Sequence, residues 1–208
     1  MPTPDDVLAA ELSAARGFRR VEIAVALGYS EGETGPTHLR VLLRETGPGT
    51  SDLRCAALLA LAKRCREEAH DDYVRAYQST DAGTRDYAML ALSAYGRDGL
   101  WEEVADRLVT TVRRRHRRGT TPSEVVVMIV YLARHSAAHL ERLPTLVAGL
   151  RQHWEALDED GGDEAKQWLA TYWPDVAPDG PPPDEVSAPD GGAMQAWIRR
   201  SPLFARAN

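Results

Sequence analysis

The octapeptide Arg54-Cys55-Ala56-Ala57-Leu58-Leu59-Ala60-Leu61 returns 31 residues later as Arg85-Asp86-Tyr87-Ala88-Met89-Leu90-Ala91-Leu92, with Arg, Ala, Leu, Ala and Leu in matching places. A looser third copy runs from Glu124 to Leu132, with Val127, Ile129 and Val130 at the apolar positions and Glu124 where the others have arginine. Self-similarity at a spacing of this size is the mark of stacked supersecondary units. Each copy is apolar nearly all round and rich in small residues, the composition of a helix enclosed by others.

A second amphipathic segment follows each copy. Tyr73, Val74 and Tyr77 follow the first, and Trp101, Val104, Ala105, Leu108 and Val112 the second. Leu143, Val147, Leu150, Trp154 and Leu157 follow the third. Spacings of three and four place one apolar stripe on each of these helices. An enclosed helix alternating with a one-sided helix predicts a two-layer helical stack. The run Val125 to Val130 is β-branched and would read alone as a buried strand. The capping sequence Thr121-Pro122-Ser123-Glu124 in front of it predicts a helix instead.

On the repeated small-residue helices that open at Asp52-Leu53-Arg54 and Thr84-Arg85-Asp86, the chain resembles the HEAT-repeat family over about residues 51–157. The resemblance implies an all-α fold in the form of a short α-solenoid, a HEAT-like superhelix that presents a concave face to another protein.

Outside the repeats, Thr3-Pro4-Asp5-Asp6 supplies an N-cap hydroxyl, a first-turn proline and a carboxylate three residues on, which starts the first helix. Helices are expected near 4–16, 18–28 and 37–46, broken at Gly28 to Gly35 and at Gly47-Pro48-Gly49. Residues 1–50 then form a helical cap over the first repeat, since a bare stack end exposes apolar surface. A short helix from Asp163 to Trp173, with Ala165, Trp168, Leu169 and Tyr172 on one face, closes the other end, so repeats and closing helix occupy 51–173. Residues 174–208 read as a flexible Pro/Gly/Asp-rich tail with Pro181-Pro182-Pro183 at its centre, the stretch from Trp173 to Gly192 being extended and mobile. Met194, Trp197, Ile198, Leu203 and Phe204 return to apolar character and are expected to dock as a short helix, on the chain's own repeats or on a second copy.

Composition narrows the class. Cys55 and Cys65 lie ten residues apart on one helix and its exit, beyond the span of a disulfide, and are expected as free thiols in a reducing compartment. Met1 to Ser13 carries Asp5, Asp6 and Glu11 where an export signal needs positive charge and an apolar run, and no stretch approaches the roughly 20 residues of a membrane span. A cytoplasmic location is expected. Only Lys63 and Lys166 among the 25 basic residues are lysine, a bias of high-GC bacterial genomes. The net charge of −6 is unevenly spread: residues 1–157 hold 21 acidic and 21 basic side chains, residues 158–208 ten and four.

Candidate sites are few. Arg113-Arg114-Arg115-His116-Arg117-Arg118 puts five guanidinium groups in six positions, which could hold phosphates or complement a helix C-terminus. Binding through the second helices is expected to draw on Arg107, Arg114, Arg118 and Arg142. His135 and His139 have metal-ligand spacing but straddle a turn with no third ligand, and are read as surface histidines. His70 with Asp71 and Asp72 points in several directions. The acidic run Asp158 to Glu164 lacks a calcium loop's ligands at Gly162 and Leu169. Trp154, Arg151 and Asp158 can be drawn as the trio of a HEAT-like alkylpurine DNA glycosylase, though Trp154 also completes an apolar stripe. No phosphate loop, nucleophile elbow or Cys-x-x-Cys set occurs, and no cofactor or metal is expected. The leading expectation is a non-enzymatic protein–protein interaction scaffold, with nucleic-acid binding as the alternative and base excision third.

Overall fold

The computed structural model describes residues 3–115, 124–157, 162–180 and 188–200. These residues are helical, joined by turns and short 3-10 segments, with no strand among them. They fall into two compact units, one of residues 1–96 with 195–208, the other of residues 97–194. The boundary separates the two helices of the second repeated pair.

The first unit holds α1 (Pro4–Ala14), α2 (Phe18–Leu27), α3 (Gly35–Leu43), α4 (Ser51–Cys65), α5 (His70–Tyr77) and α6 (Ala82–Tyr95). The Thr3 hydroxyl accepts from the Asp6 amide at 3.3 Å while the Asp6 carboxylate accepts from the Thr3 amide at 2.9 Å, so both halves of the capping box form. α4 carries the first octapeptide and is the core of this unit. Every residue from Cys55 to Ala62 is buried, enclosed by α2, α3 and α6. Its alanines let neighbouring backbones approach: a Cβ on Gly28, at the end of α2, would lie 2.9 Å from the Ala60 Cα.

One carboxylate lies in this apolar setting. Asp5 is fully buried and accepts hydrogen bonds from the Ser30 hydroxyl, from the Gly35 amide at 2.6 Å and from Arg64 at 3.1 and 3.3 Å. Arg64 also donates to the carbonyls of Leu27 and Gly32. Two side chains thereby satisfy the turn between α2 and α3, whose polar backbone would otherwise cost free energy to bury.

The second unit holds α7 (Trp101–Arg115), α8 (Glu124–His135), α9 (Leu143–Gln152) and α10 (Gly162–Tyr172). α8 is a helix as its periodicity requires, with Val125 and Met128 to Leu132 buried; residues 121–123 of its capping sequence lie outside the described residues. α7 packs on α8 and α9 and buries Trp101, Val104, Ala105, Leu108 and Val112, the stripe read from the sequence. α9 departs from its expected phase. Leu146 and Leu150 face the core, whereas Leu143 and Val147 are half-buried at the surface. Leu157 is buried, and Trp154 is half-buried with the Lys166 ammonium 5.0 Å from its ring centre.

The stretch expected to be extended from Trp173 onward begins otherwise. Trp173, Val176 and Ala177 are buried in a 3-10 turn against α9 and α10, because three apolar side chains outweigh the surrounding Pro and Asp. Residues 181–187, which include the triple proline, lie outside the described residues. α11 (Gly191–Arg200) then brings Ile198 to full burial, while Gln195 donates to the Ala94 carbonyl at 2.9 Å within the first unit. Met194 is half-buried and Trp197 is exposed; Leu203 and Phe204 lie outside the described residues.

Candidate functional site

The feature in the second unit most suited to recognition is the outer side of α9. Leu140, in the turn before the helix, is 67% exposed, and Pro144 and Ala148 are exposed one and two turns on. With Leu143 and Val147 they form an apolar ridge, since residues three and four apart share a helix face. A groove runs along each side of α9. The first, of about 510 Å³, lies toward α7, with Trp101, Ala105, Val109, Leu146 and Gly149 as floor and Glu102, Asp106, Thr110 and Thr145 at the rim. The second, of about 610 Å³, lies toward the end of α10, with Leu143, Val147, Tyr172, Trp173 and Pro174 in its walls. Gly149 allows the close approach of α9 to α7, because a Cβ there would meet the Val109 methyls at 3.0 and 3.1 Å.

Arg142 stands at the start of α9 and pairs with Glu102 across the first groove at 3.3 Å, both side chains being more than half exposed. Such a pair contributes little to stability and is free to exchange partners. Arg107 is half-buried on α7; Arg113 and Arg114 are exposed near its end. Arg115 closes the helix, and Arg117 and Arg118 lie outside the described residues.

His139 does not behave as a surface histidine. Its ring stacks on Trp101 at 4.8 Å with an interplanar angle of 9°, and its Nε2 lies 3.9 Å from the Asp98 carboxylate. Trp101 donates its indole N–H to the Leu132 carbonyl at 3.1 Å, so the stack is fixed to α8. His135 is half-buried and tilted against Tyr131. Among the described residues no group of three or more His, Cys, Asp or Glu side chains could hold a metal. Asp158, required by the base-excision trio, lies outside them; Arg151 donates to the Asp175 carbonyl at 3.5 Å.

No family model, curated protein or solved structure matches this chain. Function therefore rests on the geometry alone.

The first unit has a different groove, which sequence reasoning missed. It measures about 510 Å³ and lies among the ends of α3 and α5 and the starts of α4 and α6. Arg54, which opens the first octapeptide as Arg85 opens the second, sits in its wall. Its guanidinium donates to the Thr84 and Thr50 hydroxyls at 3.0 and 2.7 Å and to the Glu45 carbonyl at 2.9 Å, with Asp81 at 3.4 Å. Arg85, at the matching place in the second copy, donates to the Ser79 and Thr80 carbonyls. Each repeated arginine thus secures the turn that precedes its own helix. Asp81 accepts from the Thr84 hydroxyl and amide and from Ser51, which holds its carboxyl well below the usual carboxylate range.

Proposed function

We propose that the chain is a non-enzymatic protein–protein interaction module, a short HEAT-like helical stack of the bacterial cytoplasm that recognises another protein through the outer face of α9. The observation that carries this reading is the apolar ridge from Leu140 to Ala148, flanked by two grooves and rimmed by the exchangeable Arg142–Glu102 pair. Exposed apolar surface beside shallow grooves, with charge at the rim, is the anatomy of a recognition surface. No helix among the described residues is long and apolar enough to cross a membrane, so the ridge is not part of a helical span. The two repeated octapeptides and their similarly placed arginines support the HEAT-like reading.

The test replaces Leu140 and Val147 by aspartate, singly and together, in the full chain used as bait. Proteins retained by the wild type should be lost from the variants, while far-UV circular dichroism stays unchanged. The same proteins recovered on wild type and double variant would sink the α9 reading.

Nucleic-acid binding through Arg113, Arg114, Arg115, Arg117 and Arg118 is the second reading, favoured by the exposure of Arg113 and Arg114 at the end of α7. Titrating labelled single- and double-stranded DNA at low and moderate salt decides it. Salt-sensitive binding abolished by Arg113→Ala and Arg114→Ala supports it; binding indifferent to both does not.

A further inference from the structure

The groove of the first unit has more cation than its own carboxylates can match. Four arginines line it, Arg40, Arg44, Arg54 and Arg75, against Glu45, Asp72 and Asp81. All three carboxylates are already engaged. Glu45 is held by the Arg20 guanidinium, which stands outside the lining; Asp72 accepts from Arg40 Nε at 2.8 Å; Asp81 accepts from Ser51 and Thr84 beside Arg54. Arg54 is engaged by two hydroxyls, a carbonyl and Asp81.

That leaves two charges over. Arg44 is exposed at the end of α3 and meets no carboxylate among the described residues. Arg75, on α5, is 64% exposed and reaches Asp72 only at 3.7 Å, where Arg40 already holds the stronger hydrogen bond. Arg40 spends its Nε on Asp72, and its two terminal nitrogens have no described acceptor. Guanidinium groups are planar forks suited to carboxylates, and bonds of this kind are about twice as strong as neutral ones. Leu43 and Ala76 give the groove an apolar floor, while Ser79 and Thr80 place hydroxyls on its rim.

We propose that this groove binds an acidic peptide segment of another protein, one glutamate or aspartate seated between Arg44 and Arg75 with Arg40 beneath. Nucleic acid is a poorer fit, because no aromatic side chain lines the groove for bases to stack on. The site lies in the other unit from α9, and the two assignments stand or fall separately.

The test is fluorescence polarisation of the full chain with a labelled Glu-rich nonapeptide, its Gln counterpart, inorganic phosphate as competitor and a single-stranded oligonucleotide of similar charge. The Glu peptide should bind with an affinity that falls as salt rises, the Gln peptide should not, and Arg44→Ala with Arg75→Ala should weaken binding about tenfold or more. Arg16→Ala with Arg200→Ala removes the same charge from exposed positions elsewhere and should leave it unchanged. Equal loss in both double variants, equal binding of the Gln peptide, preference for the oligonucleotide, or displacement by phosphate at equal concentration would each overturn the proposal.

Discussion

The Asp5 carboxylate and the Arg64 guanidinium, 59 positions apart in the chain, meet at 3.1 Å with Asp5 wholly removed from solvent. Removing one member of a buried pair strands the other, at a cost of roughly 3–5 kcal/mol. Asp5→Ala and Arg64→Ala should each lower the free energy of unfolding in urea by that order. The double variant should fall well short of the sum of the two, because the second change removes a charge already stranded. Additive losses would show that the two side chains act independently. Gly35→Ala should also destabilise the fold, since its Cβ would displace Arg64 Nη1 from its bonds to Asp5 and the Leu27 carbonyl.

Acid should unfold the first unit through the Asp5 carboxylate and through Asp81. Burial raises the Asp5 pKa, but the hydrogen bonds from Arg64, Ser30 and Gly35 and the Arg64 charge outweigh it and hold the carboxyl below its ordinary value. Asp81 is held low by its bonds to Thr84 and Ser51. A depressed folded-state pKa contributes stability above the unfolded value, near pH 4, and loses it as pH falls through the folded value. Denaturation midpoints should therefore drop steeply below about pH 4 in the wild type and less steeply in Asp81→Asn. Parallel pH profiles for the two proteins would count against this linkage.

The fold was legible where periodicity alone sufficed. The α7 stripe from Trp101 to Val112 and the enclosed octapeptide of α4 follow from spacing, and burial in the structure agrees residue by residue. The phase of α9 was not legible, because Leu143, Leu146, Val147 and Leu150 make two overlapping stripes and only the position of α7 chooses between them. Trp173, Val176 and Ala177 were hidden by the prolines around them. Asp5 showed in sequence only as a first-turn acid; its burial depends on Arg64, which no local pattern connects to it. The Arg-lined groove announced itself only as the repeated Arg54, while Arg40, Arg44 and Arg75 reach it from helices that the turns bring together.

The thiols should be inert while the protein is folded. Cys55 and Cys65 are both buried and free, and burial pushes the Cys55 thiol up to about 12 and raises that of Cys65. The thiolate is the reactive form, so alkylation at neutral pH should leave both masses unchanged in native buffer and add two labels in denaturant. Rapid labelling of the native chain would contradict the burial of α4.

Arg66 is the one non-glycine residue with positive φ among those described, at 47°, and its carbonyl accepts from the buried Tyr73 hydroxyl at 2.8 Å. An L side chain is strained there, and glycine is not. Arg66→Gly should be neutral or stabilising by up to about 1 kcal/mol in thermal or urea unfolding, despite the loss of a long side chain. Tyr73→Phe should cost about 1 kcal/mol by freeing that carbonyl. A clear destabilisation by Arg66→Gly would mean that the turn is not under strain.

Gly28→Ala tests the packing of α2 on α4. Its Cβ would press on the Ala60 backbone at 2.9 Å, which no side-chain rotation relieves, so a loss of about 1–3 kcal/mol is expected in urea unfolding. Ala60→Gly made in the same background should not restore it.

The arginines that open the two octapeptides bind backward, to the carbonyls of the turns before them: Arg54 to Glu45, and Arg85 to Ser79 and Thr80. A stretch of gene that begins at such a turn and runs through its helix therefore encodes both the seam and its fastener. Each of these two joints carries its fastener in the same short stretch of chain as the turn it closes, whereas the third copy, which opens with Glu124, has no arginine at that place.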